Sequence, residues 1–171
     1  MQMSLTGVDR FEIVQGEIVA LSPTGGRHGQ VEGNAYFLLA NHIRKQQLGR
    51  LYVGEVGVVV SREPLTVRGA DVAFVHVDQG PPATSPEGYL VTAPALVVEV
   101  LSPNDRASEV ERKVQEYLLA GVAVVLVLDP DNRCATLARA DSRVLLSEHQ
   151  CLELPDLLPG WSVGVEEFFL E

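Results

Sequence analysis

Three ionisable residues interrupt segments that otherwise read as apolar interior: Asp71 in VRGADVAFVHV, Glu99 in ALVVEVL, and Lys113 in the stretch that follows. A lone carboxylate in an apolar strand is costly unless it is paired or binds a metal. Two carboxylates on neighbouring strands can supply oxygens to Mg²⁺, which takes a few carboxylates and keeps waters or substrate phosphate. A nearby ammonium can orient or help deprotonate an attacking water, and can stabilise charge building on phosphorus. Such a set suffices to hydrolyse a phosphodiester. The same residues also fit a plainer arrangement, with Glu99 a buried acid hydrogen-bonded to Lys113 or a backbone amide and Asp71 capping a strand end. Their spacing alone leaves both open.

The elements that must position them follow from the hydrophobic period. Residues 11–21, FEIVQGEIVAL, read as two short strands around Gln15-Gly16, and 22–26 as a loop. Over 28–47, Val31, Ala35, Leu38, Leu39, His42 and Ile43 recur at spacings of three and four, which predicts an amphipathic helix with a basic last turn (Arg44, Lys45) closed by Gly49. Strands are expected over 50–61 and 67–77, the latter with Ala70, Val72 and Phe74 facing one way and Asp71, Ala73 and Val75 the other. A loop rich in proline and glycine spans 78–92. The run 95–101, apolar except for Glu99, is the pattern of a strand covered on both faces. Ser102-Pro103-Asn104-Asp105 breaks it and offers helix caps, and 106–120 carries a helical stripe of Val110, Val114, Tyr117 and Leu118 ended by Gly121. A β-branched strand at 122–128 and a hairpin near 135–139 and 143–146 follow, then a tail, LPGWSVGVEEFF, expected to dock on the rest. The strand–helix–strand unit over 95–128 implies a right-handed parallel crossover in a mixed sheet.

Composition narrows the classes. A chain of 171 residues, 46% hydrophobic and 21% charged, suits one soluble domain, taken here as 1–171. No apolar run reaches the roughly 20 residues that span a bilayer, and no secretory signal opens the chain, so a cytoplasmic location is expected. Cys134 and Cys151 lack metal-site or disulfide-scaffold spacing. The net charge of −10 argues against a protein that coats nucleic acid, yet not against a nucleic-acid enzyme whose carboxylates recruit a cation. Ser22, Ser102 and Ser147 lack a nucleophile-elbow pattern such as GxSxG, which leaves a serine hydrolase without support, and no GxxxxGK[ST] occurs, which leaves a P-loop enzyme unsupported too.

The segments FEIVQGEIVALSPTGGRHG, RGADVAFV, APALVVEVLSPNDR, ERKVQEYLLAGV, VLDPDNR and LPGWSV, in that order and over nearly the whole chain, resemble the bacterial Uma family of restriction endonucleases, a branch of the PD-(D/E)XK nuclease superfamily. The resemblance implies an α/β restriction-endonuclease-like core of helix, three strands, helix and strand, with added terminal hairpins and a Mg²⁺-dependent site in which Mn²⁺ can substitute. Asp71 falls on the first acid of the motif and Glu99 on the second, as metal ligands. The lysine expected two residues later is replaced by Leu101, and its counterpart here is Lys113 in the next helix. The proline that usually precedes the first acid is Ala70. Glu17 and His28 match recurrent family positions and are candidates for supporting the site, or are, respectively, a solvated strand residue and a hydrogen-bonding group at a helix start.

The expected function is therefore a Mg²⁺-dependent endonuclease acting on DNA, with Asp71 and Glu99 holding the metal and Lys113 at the water. The alternatives are an interaction module that keeps the fold without efficient cleavage, and a structural homodimer whose carboxylates form an internal ion network. A homodimer is expected on the ground that duplex-cleaving enzymes pair two sites, with Trp161, Phe168 and Phe169 as contacts unless they close the monomer's own core.

Overall fold

The computed structural model describes residues 10–85 and 87–171. Residues 1–9 of the domain expected over 1–171, and Pro86 in the expected 78–92 loop, lie outside the described residues. The strands β1 (Phe11–Val14) and β2 (Glu17–Ala20) form the first hairpin. Gln15 (φ 52) and Gly16 (φ 82) give its turn the positive angles that match the strand twist. Helix α1 (Gly26–Gln46) follows, then the long pair β3 (Gly49–Arg62) and β4 (Leu65–His76). Then come β5 (Leu96–Val100), helix α2 (Ala107–Leu119), β6 (Val124–Asp129), and the hairpin β7 (Cys134–Ala138) and β8 (Arg143–Ser147). The tail pairs β9 (Cys151–Glu153) with β10 (Ser162–Gly164) and ends in a 3₁₀ segment, Val165–Phe169.

The expected sequence of helix, three strands, helix and strand is thus present as α1, β3, β4, β5, α2 and β6. The large sheet runs β2-β1-β4-β5-β6-β7-β8, with β3 also paired to β4. Within it β5 is central and all five of its residues are buried. β5 and β6 are parallel across the α2 crossover, and the other pairs are antiparallel. One face carries α1 and the tail over Val72, Phe74, Leu96, Val98 and Leu126. The other carries α2 over Ala73, Val75, Val97 and Val125, with Val114 and Tyr117 inserted.

Four expectations need correction. Helix α1 is closed by Gln47, in the left-handed conformation at φ 55, and not by Gly49, which already begins β3. Asp105 does not cap α2; its carboxylate accepts the Ser102 N–H at 2.7 Å, and Arg106 precedes the helix without a side-chain cap. Ala70 packs in the α2 layer with Ala73 and Val75, not with Val72 and Phe74. The alternation slips there because β3 holds one extra residue between the pairs Val53↔Val72 and Val56↔Ala70, a bulge at Gly54 (φ 93) and Glu55 (φ 54). Finally, Trp161, Phe168 and Phe169 are buried in the monomer's own core, so they offer no dimer surface.

Candidate active site

The strands β4 and β5 pair over Val72↔Val98, Ala73↔Val97 and Phe74↔Leu96, and there the ladder stops. One more step would place Asp71 directly opposite Glu99. Like charges facing each other across a ladder repel, and the strands part at that step. The Val100 N–H donates to Asp71 Oδ2 at 2.7 Å, so the carboxylate takes an amide near the end of the parted strand. Further along the same edge of β4, β1 pairs only at Ile13↔Val67. Between the two pairings, Gly69 is left to side chains: its N–H donates to Glu12 Oε1 at 2.9 Å and its carbonyl accepts from Lys113 Nζ at 2.7 Å.

Glu99 is buried, and both of its oxygens are engaged: Lys113 Nζ donates to Oε2 at 2.7 Å and the Tyr117 hydroxyl to Oε1 at 2.9 Å. Lys113 also lies 3.2 Å from Glu12 Oε1. It donates to Gly69 and Glu99, and Glu12 completes its surroundings as an ion-pair partner. Glu12 in turn pairs with buried Arg68 at 2.7 Å, whose Nε reaches Glu116 at 2.5 Å. Lys113, Glu116 and Tyr117 all come from α2, where spacings of three and four set Lys113 beside the latter two.

On the other side of Asp71 stands α1. His28 Nε2 lies 3.4 Å from Asp71 Oδ2, and His28 Nδ1 lies 3.9 Å from Glu32 Oε2, one helical turn on. The bulge in β3 reaches this group, since the Gly54 N–H donates to Glu32 Oε1 at 3.1 Å. One donor atom from each of His28, Glu32 and Asp71 can be chosen so that all three lie within 4.8 Å of one another.

These surroundings set the charge states. Burial pushes the Glu99 carboxyl up to about 7, the Asp71 charge adding to it while Lys113 and the Tyr117 hydroxyl pull it back. Burial works against the charged form of Lys113, but the charges of Glu99 and Glu12 outweigh it and hold the ammonium protonated beyond the usual lysine range. Burial likewise opposes the His28 imidazolium, and the Asp71 hydrogen bond and the nearby carboxylates more than reverse this, raising it. Glu32 is raised, by burial first and the Asp71 charge second. Glu12 is lowered: Lys113, Arg68 and the Gly69 amide together overcome its burial.

The structure thus brings Asp71, Glu99, Lys113 and His28 to one place. Glu17 is exposed at the start of β2, outside these contacts. Sequence reasoning missed Glu12, Glu32, Arg68 and Glu116. Glu32 had a usable signal, because His28-x-x-x-Glu32 puts both residues on one helix face. Glu12 had none: in FEIV it reads as the outward residue of an alternating strand, yet it is buried.

The family described as "Uma2: Putative restriction endonuclease" matches residues 2–166. The chain belongs to that family. No curated protein matches the chain. Among solved structures, the Uma2 chain is similar to one titled a "putative nuclease belonging to DUF820" from Anabaena variabilis ATCC 29413, with a TM-score of 0.77 at 16% identity, covering 93% of this chain and 89% of that one. At that identity the likeness speaks for the fold alone. The Uma2 fold, a nuclease fold, is the restriction-endonuclease-like one that the sequence implies.

The donor set fits a divalent cation. Two carboxylates and an imidazole come together, and His28 Nδ1 is buried with no hydrogen-bond partner among the described residues. A polar atom left so is costly unless something absent from the chain completes it.

Proposed function

We propose that the protein is a divalent-metal-dependent endonuclease that hydrolyses phosphodiester bonds in DNA. The observation that carries this reading is the broken register at Asp71 and Glu99. A fold gains no stability by setting two acids across a strand pair, and it gains a cation site. Asp71 would hold the cation with His28 and Glu32. Glu99 would join from the facing strand, since each of its engaged oxygens keeps a lone pair. Carboxylate oxygens suit Mg²⁺, and the imidazole adds preference for Mn²⁺ over Mg²⁺. A cation there supplies Lewis acidity and lowers the pKa of a water.

The remaining work falls to the chain. Lys113, kept protonated by Glu99 and Glu12, is no general base. It is a fixed positive charge for the developing phosphorane, and its longest contact, to Glu12 at 3.2 Å, is the one it would trade for a phosphate oxygen. Glu12, itself paired with Arg68, holds it meanwhile at the open edge of β4. The rival reading is an ion network without catalysis, favoured by the full occupation of Lys113 and Glu99 by protein partners.

Cleavage of supercoiled, linear duplex and single-stranded DNA with Mn²⁺ or Mg²⁺, together with metal-dependent melting, separates the two. Wild type should cleave and its Tm should rise with Mn²⁺, and Asp71→Asn should lose both. Absence of both responses in wild type would sink the nuclease reading.

A further inference from the structure

The chain carries a net charge of −10, and most of its 13 Lys and Arg side chains lie within ion-pair distance of a carboxylate. Among the described residues, Arg44, Lys45 and Arg50 are exposed and have no such partner. Arg44 and Arg50 line a cleft of about 540 Å³ between the end of α1, the start of β3 and the end of β4, rimmed by Gly80, Pro81 and Pro82. Arg62 and Arg106 also lack partners, but they sit apart, at the far end of β3 and before α2.

Two features make the cleft more than a basic helix end. Arg44 is held in place, donating to the Tyr36 hydroxyl at 2.8 Å with its guanidinium 6.0 Å from the Tyr36 ring centroid. A fixed guanidinium fork suits the two oxygens of a phosphodiester. On the opposite wall, His76 Nδ1 accepts the Asp78 N–H at 3.2 Å, so the neutral ring carries its proton on Nε2 as a further donor. The last-turn cations do complement the α1 dipole, but that field amounts to about half a charge, which two cations in α1 and a third across the cleft exceed.

Position ties this cleft to the carboxylates. His28, Glu32, Asp71 and the Gly54 amide lie at one end of the seam between α1 and the β3–β4 pair, and the cleft lies at the other. Four residues of β4, from Asp71 to Val75, span about 13 Å at the rise of a strand. Phosphates along one strand of a duplex advance about 3.4 Å per base pair. The 16 residues of α1 from His28 to Arg44 span about 24 Å, so the spacing corresponds to about four to seven base pairs.

We propose that the Arg44–Arg50 cleft anchors the phosphodiester backbone of duplex DNA about four to seven base pairs from the bond that is cut. This rests on the endonuclease reading for the choice of DNA. It assigns a second, metal-independent grip to a protein whose acidic site repels DNA until a cation is bound.

The test is binding of a labelled 24-base-pair duplex in EDTA, by fluorescence anisotropy over a series of salt concentrations. Each phosphate contact contributes a slope of about 0.9 to the fall of log affinity with log salt. Arg44→Gln/Arg50→Gln should bind at least tenfold more weakly at low salt, with a slope shallower by about 2. Arg44→Lys/Arg50→Lys should restore the slope, and Arg62→Gln should stay within twofold of wild type. Arg50→Gln alone, at a side chain with no hydrogen bond or ion pair among the described residues, should remove about one unit of slope and guards against a folding defect in the double variant. Affinity and slope equal to wild type in the double variant, a loss matched by Arg62→Gln, or no duplex binding by wild type in EDTA would each overturn the anchor. Cleavage in Mn²⁺ is read separately: if DNA binding depends on Arg44 and Arg50 but no strand is cut, the anchor stands and the endonuclease reading falls.

Discussion

Glu99 and Lys113 are buried side by side, and their surroundings make stability depend on pH in a definite direction. The folded carboxyl of Glu99 titrates at about 7, against 4.5 when unfolded, with burial the largest cause. Between those values the native state binds more protons than the unfolded one, so stability falls as pH rises. His28, raised above 6.5, adds stability present below that value and lost as pH climbs through its folded pKa, and raised Glu32 acts in the same sense. Lys113 stays charged throughout and adds no slope there. Glu12, lowered, acts the other way, stabilising above 4.5 and losing that contribution in acid. The metal-free protein should therefore be most stable near pH 5 and lose on the order of 3 kcal/mol toward pH 8. Urea melts in EDTA across that range check this, and Glu99→Gln should flatten most of the decline; a rising or level profile for wild type contradicts it.

The partners of Lys113 also decide what its neighbours are worth. By sequence, Glu99 is the natural counter-charge of Lys113, and its loss would strand the lysine. The structure gives Lys113 two further acceptors, the Gly69 carbonyl and Glu12. Glu12, by contrast, joins two buried cations, Lys113 and Arg68, and Arg68 Nη2 already lacks a partner among the described residues. Glu12→Gln should cost about 3 kcal/mol, while Asp71→Asn in EDTA should cost nothing or stabilise, because it relieves the repulsion with Glu99. Equilibrium denaturation of both variants settles the order, and a larger loss in Asp71→Asn would make the acids structural.

At the scale of elements, strands and helices were legible wherever the period was clean. The apolar run with one acid gave a central buried strand, and the stripe ending in Tyr117 gave a helix packed on it. Illegible were features set by pairing across tens of residues. Glu12 is buried because β1 meets β4 at a single pair, and nothing in FEIV records that. The bulge at Gly54-Glu55 arises from register with β4, and the sequence shows only a glycine in a strand. That bulge turns an amide toward Glu32, which links β3 to the candidate metal group. Gly54 sits at φ 93 and a Cβ added to it would meet nothing within 4 Å, so a side chain there brings strain rather than a clash. Gly54→Ala should lower stability by about 1–2 kcal/mol and weaken Mn²⁺ binding several-fold. Titration calorimetry checks the second part, and unchanged affinity would detach the bulge from the site.

For the whole molecule, the tail fixes how α1 is held and therefore where His28 and Glu32 stand. Asn34 Nδ2 donates to the carbonyls of Phe168 and Leu170 at 3.1 and 2.8 Å, and Trp161 Nε1 donates to the Leu38 carbonyl at 3.2 Å. Phe168 is fully buried and Phe169 and Trp161 nearly so, all within the α1 layer. An aromatic side chain of this size in a core contributes several kcal/mol through area and packing. The expectation that these residues join two protomers gives way to one in which they join the C-terminal segment to α1. Trp161→Ala should then cost about 3–5 kcal/mol and leave the mass in light scattering unchanged from wild type at every concentration. Because α1 carries two of the three converging donors, the same variant should lose Mn²⁺-dependent stabilisation in step with its loss of α1 order, followed by amide exchange in the helix. A change of mass with intact stability would return these aromatics to an interface and separate the tail from the metal site.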